Sequence, residues 1–217
     1  ILFCTSISCK KNTDKPSQLC KTNNPLSTAI DKRINEILEP YAKESSTASV
    51  SVGYYKDNTT SFYGYGETKK GNNIIPDSTT IYEIGSISKT FTALLMIDYL
   101  QSQSLSIDCV ANNLLPNDVP LLQYNNEPVM VKHLLNHTSG LPRLPEDFGT
   151  GIDTNNPYKH YDSTMVYNYL KSHPISKDPG YTWEYSNLGM AIVGLILERQ
   201  TKKSYEQLLI DKICIPM

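Results

Sequence analysis

The sequence lacks the features that mark several large classes of protein. No run of residues approaches the roughly 18 consecutive apolar positions of a transmembrane helix. Lys and Arg number 20 against 22 Asp and Glu, so no net positive charge is available to bind nucleic acid or an anionic membrane. No Cys-x-x-Cys pair or Cys/His cluster is present, which argues against a zinc site. With 39% hydrophobic residues, the composition favours a folded globular protein.

The N-terminal segment differs in character from the rest of the chain. The run Ile1–Lys11 has an apolar start, small residues, Cys9 and then two lysines, which resembles the end of a bacterial lipoprotein signal. In that interpretation residues 1–24 are a truncated signal and tether, Cys9 carries a lipid anchor, and the protein is exported to the periplasm or held at a membrane. The alternative is a frayed tail with incidental cysteines. In both cases residues 1–24 lie outside the predicted fold.

The hydrophobic pattern predicts one helix, a hairpin and then mostly helices. Apolar residues recur every three or four positions after Asn24, which predicts a helix that has Pro25 in its first turn and stops around 40–43. Period-two alternation over residues 48–65, interrupted by a turn at 56–58, predicts an antiparallel hairpin. Residues 80–84 give a further strand signal, and a buried helix is predicted from Ser86. Later helices are predicted around residues 129–135, 164–171 and 187–200.

A serine and a lysine with spacing suited to nucleophilic catalysis lie at the start of the predicted helix. In Ser86-Ile87-Ser88-Lys89 the two residues share one helix face, so the ammonium can reach the hydroxyl. The positive end of the helix dipole favours a developing alkoxide at this position. Residues 8–11 match the same Ser-x-x-Lys pattern, but no predicted helix aligns them. The strand signal, Gly85 and hydrophobic helix around Ser86 make it the candidate nucleophile.

A second motif supplies a candidate general base. Tyr185-Ser186-Asn187 stands at a predicted loop-to-helix junction, where a phenol beside an ammonium can ionise and accept a proton. The amide two residues later can hydrogen-bond both the lysine and a substrate carbonyl. Tyr124-Asn125-Asn126 has the same letters, but it lies in a loop with no helix after it. Tyr185 is therefore the better candidate.

Three blocks of the sequence, in this order and spacing, carry a family resemblance. The block Glu83–Thr92 resembles the active-site block of class C serine β-lactamases and of their relatives, the D-Ala-D-Ala carboxypeptidases and β-lactamase-like esterases. Leu134–Pro142, which contains His137, is similar to a second block of that family. Pro179-Gly180 followed by Tyr185–Gly189 is similar to a third. The resemblance extends from about residue 26 to the last residue.

The resemblance implies a fold and a set of site residues. The fold is α+β of the β-lactamase/transpeptidase type, with the first helix and strands of the sheet domain in residues 25–85 and a mainly helical domain in 86–217. Ser86 is the acylated nucleophile, whose backbone N–H forms half of the oxyanion hole. Lys89 and Tyr185 share the proton transfers, and Asn187 orients the substrate. No metal and no organic cofactor are implied.

The resemblance also implies that part of the family's site is missing. Its third motif, Lys-Thr-Gly or His-x-Gly on an edge strand, has no match from Leu188 to Met217, and Lys69-Lys70-Gly71 stands in the wrong order. We therefore expect an incomplete antiparallel sheet whose C-terminal strands are absent. We also expect little turnover by the chain as given, because losing one oxyanion donor costs roughly 10²–10³ in rate. The block around His137 is expected to act as a turn, and the remaining three histidines are expected to be solvated.

These expectations leave several functions open. The favoured one is a serine hydrolase that forms an acyl-enzyme on a β-lactam, a D-Ala-D-Ala peptide or an ester. A carboxylesterase or a D-amino-acid peptidase is an alternative within the hydrolases. A non-catalytic penicillin-binding or scaffold protein, or an inactive fragment, is an alternative of another class. The expected partner is a small-molecule or peptidoglycan-type substrate rather than nucleic acid.

Overall fold

The computed structural model describes residues 20–217. The chain divides into two compact units, the first ending at Glu83 and the second covering Ile84–Met217. The predicted lipid anchor at Cys9 lies outside the described residues. Among residues 20–217, no helix is both long and apolar enough to pass through a membrane.

The first unit begins with a helix, α1 (Ala29–Lys43). Its N-terminus is fixed by a capping box, in which the Thr28 hydroxyl accepts from the Asp31 N–H and the Asp31 carboxylate accepts from the Thr28 N–H. The predicted start at Pro25 was therefore wrong, because Leu26 adopts a positive φ of 55° and helical geometry begins only after Thr28. The predicted end at residues 40–43 is confirmed.

Two antiparallel strands follow, β1 (Ser49–Lys56) and β2 (Thr59–Gly66), in a register that pairs Lys56 with Thr59. Both turn residues, Asp57 and Asn58, have positive φ, which gives the tight connection that suits strand twist. The predicted hairpin is confirmed. Its inner face packs against α1 through a small core that consists of Ile34, Tyr63 and Tyr65.

The strand predicted over residues 80–84 is absent from the described structure. Local turn bonds replace it, since the Asp77 carboxylate accepts from the backbone and hydroxyl of Thr79. Tyr82 reaches β1 only through its side chain, with its hydroxyl 3.0 Å from the hydroxyls of Ser49 and Ser51. A strand needs backbone pairing with a neighbour, and residues 80–84 have none.

The second unit is mainly helical, as predicted. A 3₁₀ turn (Gly85–Ile87) leads directly into α2 (Ser88–Ser102). The elements that follow are a 3₁₀ turn (Ala111–Leu114), β3 (Gln123–Tyr124), β4 (Glu127–Pro128), α3 (Val131–Leu135), α4 (Ser163–Ser172), α5 (Asn187–Thr201), α6 (Tyr205–Leu209) and a π-helical turn (Ile210–Cys214).

The α5 helix lies at the centre of this unit and packs against α2, α3, α4 and α6. Its buried residues extend around most of its circumference, which is the pattern of a helix enclosed by its neighbours. They include Leu188, Ile192, Val193, Ile196 and Leu197. On α2, Leu95, Met96 and Leu100 are buried in the same core. The packed pair of α2 and α5 brings the N-terminal end of each helix to one place, where the candidate site lies.

Candidate active site

Ser86 lies in the 3₁₀ turn that opens α2 and is exposed. The Lys89 ammonium, one turn further along, donates a hydrogen bond to the Ser86 hydroxyl at 3.2 Å. Gly85 begins this turn with a φ of 53°, a conformation that costs glycine little. The i, i+3 spacing of serine and lysine thus brings the two side chains together on one helix face.

Tyr185 reaches the same serine from a distant part of the sequence. Its hydroxyl donates to the Ser86 hydroxyl at 2.7 Å, and the Lys89 ammonium lies 5.0 Å from the centre of its ring. Hydrogen bonding with Lys89 and then with Ser86 lowers the pKa of Tyr185, and the positive charges of Lys89 and Arg143 act in the same direction. A phenol with a lowered pKa is a better proton acceptor near neutral pH.

Asn187 is the first residue of α5, and its backbone N–H donates to the Arg143 carbonyl at 2.9 Å. The preceding residue, Ser186, caps the helix and is only 1% exposed. Its hydroxyl accepts from the Gly189 N–H at 2.8 Å and donates to the Pro142 carbonyl at 2.7 Å. These bonds hold Ser186, and with it the neighbouring Tyr185 and Asn187, against the loop 137–143.

His137 supports the tyrosine segment. Its Nδ1 accepts from the Ser186 N–H at 3.2 Å, its carbonyl accepts from the Glu184 N–H at 2.8 Å, and its ring centre lies 4.5 Å from that of Tyr185. Burial, followed by the positive charge of Lys89, lowers the pKa of His137, which favours the neutral ring that can accept this bond. His137 was expected to act only in a turn, and it also contacts Tyr185 in the candidate site.

His133 was expected to be solvated, and that was wrong. It is 7% exposed, and its Nδ1 accepts from the Met130 N–H at 3.2 Å. Burial in the core lowers its pKa. The ring also packs against Gly180, where a β-carbon would lie 3.2 Å from the His133 Nε2. The residue is therefore a packed part of α3.

Sequence reasoning missed Arg143. Its guanidinium carbon lies 4.9 Å from the centre of the Tyr185 ring, in the range of a cation–π contact. Arg143 directly follows the sequence block that ends at Pro142. This neighbouring motif was the one sequence signal that could have identified it.

A cavity of about 550 Å³ opens beside these groups. Its lining residues are Gly85, Ser86, Ser88, Lys89, Thr92, Arg143, Tyr158, Asn187, Met190, Ala191, Gly194 and Tyr205. Two are cationic and none is an aspartate or glutamate. Within residues 20–217 no group of three or more His, Cys, Asp or Glu side chains is arranged to hold a metal ion. The arrangement suits attack by a serine on a carbonyl group, with a tyrosine and a lysine as its proton partners.

Comparison with known proteins places these residues in a wider context. The beta-lactamase family model matches residues 34–217. The chain is 32% identical over 187 residues to a beta-lactamase of Providencia stuartii, an alignment that covers 85% of this chain and 44% of that protein. It is 26% identical to the D-alanyl-D-alanine-carboxypeptidase/endopeptidase AmpH of Escherichia coli, covering 84% of this chain and 48% of that one. The chain thus spans about half the length of the curated relatives it matches.

Solved structures agree in fold. A beta-lactamase/D-alanine carboxypeptidase from Yersinia pestis superposes with a TM-score of 0.76 at 27% identity, covering 89% of this chain and 54% of that one. A D-amino acid amidase from Ochrobactrum anthropi gives 0.68 at 26% identity, covering 87% and 52%. The predicted fold class, helices with a small antiparallel sheet of the β-lactamase/transpeptidase type, is confirmed.

Proposed function

This chain belongs to the beta-lactamase family, and we propose that the protein is a serine hydrolase that works by acyl transfer through Ser86. One observation carries the proposal. The Tyr185 hydroxyl and the Lys89 ammonium both lie within hydrogen-bond distance of the same Ser86 oxygen, at 2.7 and 3.2 Å. A serine becomes a useful nucleophile when an adjacent base takes its proton.

In the proposed mechanism, the Ser86 oxygen bonds to a substrate carbonyl carbon while its proton passes to the Tyr185–Lys89 pair. The resulting oxyanion is stabilised by the Ser86 backbone N–H at the start of α2. When the tetrahedral intermediate collapses, the bond to the leaving group breaks and the pair returns the proton to that group. A water molecule then attacks the acyl-enzyme by the same route and releases the acid. Asn187 orients the substrate beside Ser86.

We propose a β-lactam, a peptide ending in D-Ala-D-Ala or an ester as the substrate class. Support comes from the relatives, which include a beta-lactamase and a D-alanyl-D-alanine-carboxypeptidase/endopeptidase. An amide or peptide of a D-amino acid is the second candidate, because the chain also resembles a D-amino acid amidase in fold.

The test is covalent labelling of the protein, expressed to its natural stop codon, with a fluorescent penicillin. We expect a labelled band that is lost in Ser86→Ala and kept in Ser88→Ala, an exposed serine next to the same turn whose hydroxyl bonds to the Gly85 carbonyl. A transient band with release of product indicates a β-lactamase, and a persistent one a penicillin-binding protein. Absence of any Ser86-dependent adduct with penicillin, with an ester and with a D-amino-acid amide would contradict the proposal and favour a non-catalytic protein.

We also propose that the protein is exported and lipidated at Cys9. The predicted tether of residues 1–24 is too long, because the Lys21 carbonyl accepts from the Gly66 N–H at 2.8 Å and Asn24 is only 7% exposed, so residues 21–24 belong to the first unit. The supporting observation for the anchor is the apolar and small residues before Cys9 and the two lysines after it. Growth with a labelled palmitate analogue tests it, since incorporation should be lost in Cys9→Ser and kept in Cys4→Ser.

A further inference from the structure

Arg143 is a cation without an acidic partner in the described part of the chain. The ion pairs among residues 20–217 do not include it, and its guanidinium makes no hydrogen bond there, whereas Arg33 pairs with Glu36. The side chain instead lies over the Tyr185 ring, with Cζ 4.9 Å from the ring centre. Stacking on a ring face holds a guanidinium in place while its N–H groups stay available in the plane.

The surroundings of Arg143 favour an anion. The guanidinium shares the cavity of about 550 Å³ with the Lys89 ammonium, and no carboxylate lines that cavity. A concave site that carries charges of one sign attracts ligands of the opposite sign. Lys89 donates to Ser86 and is held there as a proton partner of the nucleophile, whereas Arg143 donates no side-chain hydrogen bond within residues 20–217.

The backbone of Arg143 is also held next to the segment that carries Tyr185. Its carbonyl accepts from the backbone N–H groups of Asn187 at 2.9 Å and Leu188 at 3.3 Å. These bonds tie its backbone to the first turn of α5, close behind Tyr185 in the sequence. With the backbone held by these bonds and the guanidinium over the Tyr185 ring, ligand binding needs little reorganisation, which favours specific recognition.

We propose that Arg143 binds a carboxylate of the substrate and so selects anionic over neutral substrates for acyl transfer. A guanidinium presents two parallel N–H groups that match a carboxylate in a bidentate manner, and an ammonium does not. The inference rests on the proposed function, because it assigns a specificity-determining residue to the cavity beside Ser86. It separates the hydrolase alternatives, since β-lactam acids and peptides with a free C-terminus carry a carboxylate and simple esters do not.

The experiment compares one substrate in two charge states, benzylpenicillin and its methyl ester, in the protein expressed to its natural stop codon. In Arg143→Gln we expect KM for the acid to rise about tenfold, the size of a lost hydrogen bond to a charged group. Any fall in kcat should be the same for the acid and the ester, because the lost charge also acts on the pKa of Tyr185 whatever the substrate. KM for the methyl ester should change by less than about twofold. In Arg143→Lys, KM for the acid should lie between the values of the parent enzyme and of Arg143→Gln, because lysine keeps the charge but cannot form two parallel hydrogen bonds. The control is Arg199→Gln, which removes the same charge from the exposed last turn of α5.

A second measurement separates this inference from the proposed function. Trp183 is the single tryptophan of these 217 residues, and its ring centre lies 6.4 Å from that of Tyr185. The part of the fluorescence that is lost in Trp183→Phe therefore reports binding without turnover. In Ser86→Ala we expect N-acetyl-D-alanine to bind more tightly than its neutral amide, and the added Arg143→Gln change to remove that preference. The assignment of Arg143 would be overturned if Arg143→Gln left the preference for the carboxylate ligand unchanged, or if it weakened the binding of both ligands equally. Failure of Ser86 to acylate would count against the proposed function alone.

Discussion

The two segments that meet at the candidate site are held in different ways. The nucleophile segment, residues 85–89, is mostly exposed, with Ile87 60% accessible. Its turn is closed by local backbone bonds, from the Ile87 N–H to the Ile84 carbonyl at 3.2 Å and from the Ser88 N–H to the Gly85 carbonyl. The tyrosine segment, residues 183–187, is anchored by Ser186, which is only 1% accessible. It is bonded to His137, Pro142 and Arg143 in a distant part of the chain.

This difference means that local helix geometry aligns the nucleophile, whereas long-range contacts position the proton acceptor. The nucleophile segment takes its geometry from the first turns of α2, so the spacing of Ser86 and Lys89 is sufficient to align them. The tyrosine segment depends on long-range bonds to the loop 137–143, which hold Tyr185 at 2.7 Å from Ser86. A proton acceptor must lie within hydrogen-bond distance of the proton it removes. We therefore expect changes around the tyrosine segment to cost more stability than matched changes around the nucleophile segment.

The largest expected effect is on rate, from removal of the Tyr185 hydroxyl. Tyr185→Phe should lower kcat/KM by about 10²–10⁴, the usual contribution of general acid–base catalysis, because the ring remains and only the proton acceptor is lost. Tyr124→Phe is the matched control, since Tyr124 starts the other Tyr-x-Asn sequence and lies in β3. Equal activity of Tyr185→Phe and the parent enzyme would show that the two segments do not cooperate.

The next effect concerns two glycines with positive φ, Gly85 in the nucleophile segment and Gly140 in the loop 137–143 that holds the tyrosine segment. At Gly140, φ is 75° and a β-carbon would lie 2.8 Å from the Lys177 carbonyl oxygen, whereas at Gly85, φ is 53° and the space is open. Gly140→Ala should lower the free energy of unfolding by about 3 kcal/mol, from backbone strain plus overpacking. Gly85→Ala should cost about 1 kcal/mol, from strain alone. Urea unfolding measures both, and similar losses would remove the contrast between the segments.

A smaller effect distinguishes two serines that differ in burial. Ser186→Ala should lower the free energy of unfolding by about 2 kcal/mol, because it removes a helix cap and leaves the Pro142 carbonyl without its donor. Ser88→Ala should change it by less than about 0.5 kcal/mol, since that hydroxyl is exposed. Thermal unfolding with the two variants side by side measures the difference. A larger loss in Ser88→Ala would reverse the comparison.

The smallest effect is a shift in titration. Because Lys89 and Ser86 lower the pKa of Tyr185, its phenolate should persist to a pH below the usual value of about 10. A tyrosinate quenches a nearby tryptophan, so Trp183 fluorescence should fall as pH rises, with a midpoint below that value. The step below about pH 10 should move to higher pH in Lys89→Met. It should be absent in Tyr185→Phe, which keeps only the quenching by the other tyrosines. An unshifted midpoint would show that the lysine charge does not act on Tyr185.

The same contrast explains what the sequence could predict. The spacing of Ser86 and Lys89 and the alternation in β1 and β2 are local patterns, and both predictions match the described geometry. The helix start at Pro25 was wrong because two valid start signals compete, and the capping box of Thr28 and Asp31 prevails.

Long-range contacts were beyond the reach of the sequence. Residues 80–84 have the composition of a strand, but composition does not specify a pairing partner. Arg143 and His137 contact Tyr185 from about 40 or more positions away along the chain. No local pattern records such contacts, which follow from how the loop 137–143 packs beside α5. The predicted roles of Ser86, Lys89, Tyr185 and Asn187 stay predictions until they are tested by mutation.

The most direct test of the account is to locate the acyl group by peptide mass spectrometry after brief exposure of the full-length protein to benzylpenicillin. We predict one modified peptide, with the acyl group on Ser86, formed much more slowly in Tyr185→Phe and absent in Ser86→Ala. An adduct on Ser88 or on any other side chain, or a rate that does not depend on Tyr185, would contradict it.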